Sequence, residues 1–65
     1  MNIIVSYLEQ SKIDLAEKLL GRKTTWQERD NMMQRVSTTS EAQAERLVDH
    51  FRLSGCIAFI ETREE

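Results

Sequence analysis

The strongest pattern of apolar and polar positions lies between residues 40 and 60. Ser40 and Gln43 form a capping pair at the start of this segment, and Gly55 is typical of a helix end. Four apolar residues recur at the spacing that places side chains on one face of an α-helix: Ala44, Leu47, Val48 and Phe51. The pattern therefore predicts a helix over residues 41–54, followed by a strand over 56–61.

A second amphipathic segment lies nearer the N-terminus. Ser11 and Asp14 resemble a capping box, and Gly21 is placed to end a helix. Five apolar residues share one wide face of that helix: Ile13, Leu15, Ala16, Leu19 and Leu20. The preceding residues 2–8 alternate as in a strand, yet wound as a helix they continue the same apolar stripe. Two alternatives therefore stay open, a helix from about residue 11 to 20 and a longer one from about residue 3 to 20.

A third helix is predicted between these two segments. Thr25 and Glu28 form a capping box, and the helix is expected to run over residues 26–36. Its apolar side carries four residues: Trp26, Met32, Met33 and Val36. Arg29 falls in the middle of this side, where a charge must stay hydrated or paired. We expect its aliphatic stem to lie over Trp26, with the guanidinium in water or paired to a carboxylate.

Length and composition bound the architecture. The chain has 65 residues, enough for a single domain over residues 1–65 whose core is close to the size limit for independent stability. Hydrophobic residues make up 40% and charged residues 31%, as in ordinary globular proteins. The expected fold class is mainly α, a three-helix bundle of helix-turn-helix type with a C-terminal β-strand.

The predicted strand needs a partner, because an unpaired apolar strand promotes aggregation. Residues 61–65 are mostly acidic and lack the alternation of a second hairpin strand. Two solutions stay open: the strand pairs with residues 3–7 of the same chain, or two chains pair their strands across a two-fold axis. The second solution, together with the small size of the chain, predicts a homodimer.

The reactive side chains argue against catalysis. The chain has one cysteine and one histidine, Cys56 and His50, and neither has a further ligand or nucleophile at a useful spacing. We therefore predict no enzyme activity, no catalytic residues, no metal site, no cofactor and no small-molecule substrate. The longest apolar run is too short to cross a membrane, so a cytoplasmic location is expected.

The order of features around Gly55 carries a family resemblance. The run Arg46-Leu47-Val48-Asp49, then Gly55 and Cys56-Ile57, resembles the third helix and first wing strand of winged helix-turn-helix domains, such as MarR-like regulators and the gamma domain of the septal DNA translocase FtsK. This resemblance implies a small DNA-binding regulator of transcription whose recognition helix is 41–54.

The same resemblance implies a set of DNA-contacting residues. Three polar residues at the start of the recognition helix would approach the bases: Ser40, Gln43 and Arg46. Three basic residues would neutralise phosphates: Arg22, Lys23 and Arg35. Glu41 and Glu45 lie on the same first turns of the helix, so only modest affinity for DNA is expected.

A second class of function stays open beside DNA binding. The net charge of −2 gives little general attraction for nucleic acid. Leu53 and Ala42 lie on the face of the third helix that is predicted to be exposed, and Met32 and Met33 are side chains that adapt to irregular surfaces. These features favour a small protein-interaction module, such as a phage- or plasmid-type regulator that binds a host protein without binding nucleic acid.

Overall fold

The structure, a computed structural model, describes residues 1–64. Within that range the chain forms three strands and three helices. Their order and bounds are β1 (Asn2–Glu9), α1 (Gln10–Leu20), α2 (Trp26–Met32), β2 (Gln34–Thr38), α3 (Glu41–Leu53) and β3 (Cys56–Glu64). No helix in this range is both long and apolar enough to cross a membrane.

The strands form one antiparallel sheet with the order β2-β1-β3. Val5 at the centre of β1 lies opposite Val36 of β2 on one side and Ile60 of β3 on the other. The β-branched and aromatic residues of β1 suit a strand that is paired on both sides. Residues 2–8 therefore belong to a strand rather than to a longer first helix, and they pair with β3 inside the same chain.

The prediction of a mainly α fold was wrong. Strands make up 34% of the chain, in a three-stranded antiparallel sheet, which makes this a mixed α/β fold. The helix predicted over residues 26–36 ends at Met32, and Val36 lies in β2, where its backbone pairs with β1. A strand rather than a turn therefore separates α2 from α3, so the helix-turn-helix arrangement is not formed.

The core lies between α3 and one face of the sheet, called here the inner face. Five buried side chains form its centre: Ile3, Val5, Ala44, Val48 and Ala58. Five half-buried side chains surround them: Tyr7, Val36, Leu47, Phe51 and Ile60. The apolar stripe predicted for the third helix is therefore the surface that α3 packs against the sheet. Each such large aliphatic side chain stabilises the fold by about 1.5–3 kcal/mol when fully buried.

Helix α1 follows β1 directly and is packed only lightly. The predicted cap at Ser11 is wrong, since the helix begins at Gln10 and its N-cap residue Glu9 makes no side-chain capping hydrogen bond. Ile13 is the only α1 residue whose side chain is buried. Gly21 ends the helix with a φ of 73°, a left-handed conformation that glycine adopts without strain.

Polar contacts join α1 to α2. The Glu17 carboxylate accepts hydrogen bonds from the Thr24 backbone N–H at 2.8 Å and from the Thr24 hydroxyl at 3.1 Å. The Arg29 Nε donates to the same hydroxyl at 2.8 Å. These contacts hold the pKa of Glu17 below its ordinary value, chiefly through the Thr24 backbone donor. The connection between the two helices is therefore held by a hydrogen-bonded carboxylate rather than by a large apolar contact.

Candidate interaction surface

The three residues predicted to approach DNA bases lie together beside α3. Ser40, Gln43 and Arg46 line one open groove along this helix. Ser40 also caps the helix, because its Oγ accepts from the Gln43 backbone N–H at 3.2 Å. The Gln43 Oε1 accepts from the Thr38 hydroxyl at 3.0 Å, and the Arg46 side chain is exposed. The geometry thus brings these three residues to one surface, although two of them have structural partners.

The two basic residues predicted in the α1–α2 turn lie apart from that groove and face carboxylates. Arg22 makes a two-point contact with Glu28, Nη1 to Oε1 at 2.9 Å and Nη2 to Oε2 at 3.0 Å. This contact raises the pKa of Arg22 and is the largest cause that lowers the pKa of Glu28 to about 2. The Lys23 Nζ is 3.9 Å from Glu17 and its side chain is 90% exposed, so Lys23 keeps most of its charge accessible.

Arg35 lies on the sheet face opposite α3, called here the outer face. In the pairing of β1 with β2, Arg35 lies opposite Ser6. Val5 and Tyr7, on either side of Ser6, point to the inner face, so Ser6 and Arg35 point to the outer face. The Arg35 Nε is 3.0 Å from the Glu61 carboxylate and its Nη2 is 3.3 Å from that of Asp30. Hydrogen bonding to Arg35 is the main reason that the pKa of Glu61 is lowered. The six predicted DNA-contacting residues therefore divide between different surfaces of the molecule.

Glu41, which was expected to oppose DNA at the start of α3, is neutralised within the chain. The Arg63 Nη2 lies 2.6 Å from its Oε1, and hydrogen bonding to this guanidinium is the main cause that lowers the pKa of Glu41. The pair also ties the end of β3 to the first turn of α3. Glu45, one turn further along, remains exposed.

The outer face carries a feature that sequence reasoning missed. An open cleft of about 260 Å³ lies between α2 and the sheet, and its lining is almost entirely apolar. The residues that line the cleft are Leu8, Trp26, Arg29, Asp30, Met33, Ile57 and Phe59. The sequence held one signal of it: residues 56–60 are apolar without alternation, which indicates a strand with apolar side chains on both faces. We call this feature the cleft.

Trp26 stands at the cleft with 79% of its surface exposed. The Arg29 guanidinium carbon lies 5.3 Å from the centroid of its ring, within the range of a cation–π contact. The Arg29 Nη2 is also 3.5 Å from the Glu17 carboxylate. The predicted pairing of Arg29 with a carboxylate is therefore confirmed, but the group that lies over the Trp26 ring is the guanidinium rather than the aliphatic stem.

Further apolar side chains are exposed on the helices. The stripe predicted to bury one face of α1 does so only at Ile13, because Leu15, Leu19 and Leu20 are 58%, 79% and 47% exposed. Leu53, at the end of α3, is 90% exposed. A chain of this size ordinarily exposes few large apolar side chains in one region, and contiguous apolar surface marks interaction sites.

The single histidine and the single cysteine, His50 and Cys56, line one open groove beside Tyr7 and Phe51. No group of three metal-ligating side chains is found in the part of the chain that the structure describes. His50 is exposed, its ring 5.7 Å from that of Phe51, and Cys56 is a half-buried free thiol at the start of β3. Comparison with known proteins finds no family model, no curated protein and no solved structure that matches this chain.

Proposed function

We propose that this protein is a small protein-interaction module that binds an apolar segment of a partner protein in the cleft between α2 and the outer face. The observation that carries this proposal is the position of Trp26, 79% exposed beside an open apolar cleft. Tryptophan is enriched among the residues that dominate binding energy at protein interfaces, because it buries a large surface at little entropic cost. An indole that is this exposed contributes little to the stability of the fold itself.

The chemistry of the cleft indicates the class of ligand. Its volume of about 260 Å³ is below the range of most small-molecule pockets but suits one or two protein side chains. Met33 is flexible and polarisable, so the cleft wall adapts to different apolar shapes. Arg29 and Asp30 offer one charge of each sign beside the apolar lining. We expect a partner segment that inserts aromatic or leucine side chains and makes polar contacts around them.

DNA binding through α3 is the second candidate. It is favoured by Ser40, Gln43 and Arg46, which share one groove, and by the pairing of Glu41 with Arg63, which removes one opposing charge. It is disfavoured by the carboxylates that neutralise two of the three cations expected to hold phosphates, Arg22 and Arg35, since phosphate contacts supply most of the affinity for DNA. We therefore place protein binding first.

A peptide selection tests the proposal and at the same time defines the sequences that the cleft accepts. A phage-displayed library of random peptides is selected on the immobilised full chain, and the recovered peptides are synthesised and titrated while the emission of Trp26, the single tryptophan, is followed. We expect peptides rich in aromatic residues and leucine. Their binding should shift the emission to shorter wavelength, because the indole leaves water.

Matched variants define the expected pattern. Phe59→Ser, in the cleft, should abolish binding of these peptides, whereas Leu53→Ser, at a more exposed leucine on α3, should leave it unchanged. Fluorescence anisotropy with a pool of DNA duplexes at about 50 mM salt, where phosphate attraction is little screened, tests the second candidate. Binding of duplexes that Arg46→Ala abolishes, with no cleft-dependent peptide recovered, would replace the first proposal by the second.

A further inference from the structure

The edge of β3 that lies away from β1, called here the free edge, presents backbone groups that pair with no other strand among residues 1–64. The Gln10 N–H donates to the Gly55 carbonyl at 3.1 Å, so Gly55 faces β1. Backbone groups alternate in direction along an antiparallel strand. The N–H and C=O groups of Ile57 and Phe59 therefore also point towards β1, while those of Ala58 and Ile60 point away from it. The Arg52 Nε donates to the Ala58 carbonyl at 3.0 Å, which agrees with this direction.

A groove follows this free edge between β3 and α3. Val48, Phe59 and Ile60 supply apolar side chains to it, and α3 supplies three charged ones: Glu45, Asp49 and Arg52. Helix α3 and strand β3 run in opposite directions, because only Ser54 and Gly55 separate them. Arg52 therefore lies beside Ala58, and Asp49, almost one turn earlier in the helix, lies further along the strand, beside Ile60. The charged side chains along this edge are therefore negative beside Ile60, at Asp49, and positive beside Ala58, at Arg52.

We propose that two copies of this chain pair their β3 strands antiparallel about a two-fold axis at Phe59, which joins two three-stranded sheets into one six-stranded sheet. Antiparallel addition of a second copy supplies hydrogen-bond partners to the Ala58 N–H and to the N–H and C=O groups of Ile60. The Ala58 carbonyl, which already accepts from Arg52, accepts a second hydrogen bond there. Both α3 helices then lie on the same face of the joined sheet. The two clefts lie together on the other face.

The charges select the register of this pairing. A two-fold axis through Ala58 places Arg52 of each copy beside Arg52 of the other, so two positive charges meet. An axis through Ile60 places Asp49 of each copy beside Asp49 of the other, so two negative charges meet. Only the axis through Phe59 sets Ala58 of one copy opposite Ile60 of the other. In that register Arg52 of each copy faces Asp49 of its partner, twice in the dimer, so opposite charges meet.

Side-chain geometry favours the same register. Phe59 faces β1 with its backbone, so two copies of Phe59 across the new edge form a non-hydrogen-bonded pair, in which side chains approach most closely. This contact covers an aromatic ring that is 40% exposed in one chain. The bond from Arg52 Nε to Ala58 holds the guanidinium at the edge and leaves its two Nη groups for the carboxylate of the partner.

Sedimentation of the full chain over a range of concentrations tests the assembly. We expect a monomer–dimer equilibrium in the micromolar range, since one pair of short strands buries less surface than a standard stable interface. Asp49→Arg alone and Arg52→Asp alone should each weaken the dimer about tenfold or more, because like charges then meet. The doubly substituted Asp49→Arg, Arg52→Asp chain should recover dimerisation. A chain that stays monomeric up to about 1 mM, or a double variant no better than either single one, would overturn the proposal.

Disulfide trapping tests the register independently. In a Cys56→Ser background, single cysteines are placed in turn at Ala58, Phe59 and Ile60, with circular dichroism to confirm that each chain is folded. Phe59→Cys should form an intermolecular disulfide under mild oxidation much faster than the other two, because only residue 59 meets itself across the axis. Faster trapping at position 58 or 60, or equal rates at all three, would contradict the axis at Phe59. Asp49 and Arg52 do not line the cleft, so loss of the dimer and loss of peptide binding are distinguishable.

Discussion

The rings of Tyr7 and Phe51 stack face to face, with centroids 3.9 Å apart and planes inclined by only 7°. Tyr7 lies on the central strand β1 and Phe51 on the last turns of α3. Both side chains are half-buried beside the main core. This contact therefore joins the two elements that contribute most of the core, and it fixes where the C-terminal half of α3 rests on the sheet.

The two stacked rings should stabilise the fold by more than the sum of what each contributes alone, because they also interact with each other. We expect Phe51→Ala to cost about 3–5 kcal/mol, enough to unfold much of a chain this small. A gentler double-mutant cycle with Tyr7→Leu and Phe51→Leu should give a coupling free energy of about 0.5–1.5 kcal/mol from urea unfolding. Strictly additive effects would show that the rings contribute only through the area that each buries.

The central position of β1 predicts the effect of truncation. A chain without residues 1–8 loses the strand that joins β2 to β3, so it should be unfolded by far-ultraviolet circular dichroism and should show no cooperative melting transition. Deletion of residues 63–65 serves as the control, because it removes the Arg63–Glu41 ion pair and the last two pairs of the β1–β3 ladder but leaves the three strands paired. A folded N-terminal deletion would be incompatible with the observed sheet order.

The Glu28 carboxylate should titrate far below an ordinary glutamate. Its pKa is lowered from 4.5 to about 2, mainly by the hydrogen bonds from Arg22 and then by the Thr25 backbone donor. A depressed folded-state pKa means that the contribution to stability is fully present above 4.5 and is lost as the pH falls towards about 2. NMR titration of the side-chain carboxyl measures this pKa. Arg22→Gln should move it towards 4.5, and a value near 4.5 in the parent chain would refute the paired geometry.

Two side chains of the cleft should differ sharply in their contribution to folding. Leu8 is 2% exposed, so Leu8→Ala should cost about 2–5 kcal/mol of unfolding free energy. Trp26 is 79% exposed, so Trp26→Ala should cost less than about 1 kcal/mol, the scale of its contact with Arg29. Chemical denaturation of both variants checks this contrast. A large loss for Trp26→Ala would indicate that the indole serves the fold rather than a partner.

Local patterns in the sequence predicted the C-terminal half of the molecule well. Three local features of the sequence indicated these elements: the apolar stripe that begins at Ala44, the cap at Ser40 and the helix end at Gly55. The structure contains a helix over Glu41–Leu53 and a strand that begins at Cys56 and continues to Glu64, three residues beyond its predicted end. Strand β2 was missed because Val36 also fits the helical spacing that follows Met32 and Met33. A five-residue edge strand with one apolar side chain has almost no pattern of its own, and its pairing with β1 is non-local.

The candidate surface was harder to predict for the same reason. The capping box of Thr25 with Glu28 lies within one helical turn and was predicted correctly. The contact of Arg29 with Trp26 is equally local and was also predicted, although through the aliphatic stem rather than the guanidinium. The cleft requires α2 to lie beside Ile57 and Phe59, which are distant in sequence. The pairing of Arg35 with Glu61 across the sheet is likewise invisible without the register. The predicted set of basic residues therefore contained no sign that carboxylates neutralise two of its members.

NMR mapping of a selected peptide on the isotopically labelled chain tests the central claim most directly. Backbone amide and Trp26 indole signals are followed as the peptide is added, and the same spectra are recorded with the pool of DNA duplexes. We predict that the peptide shifts the Trp26 indole together with the amides of Met33, Ile57 and Phe59, and that the duplexes shift none of these. Peptide-induced shifts confined to residues outside the cleft, or duplex-induced shifts centred on Ser40, Gln43 and Arg46 with no response to any peptide, would contradict the account.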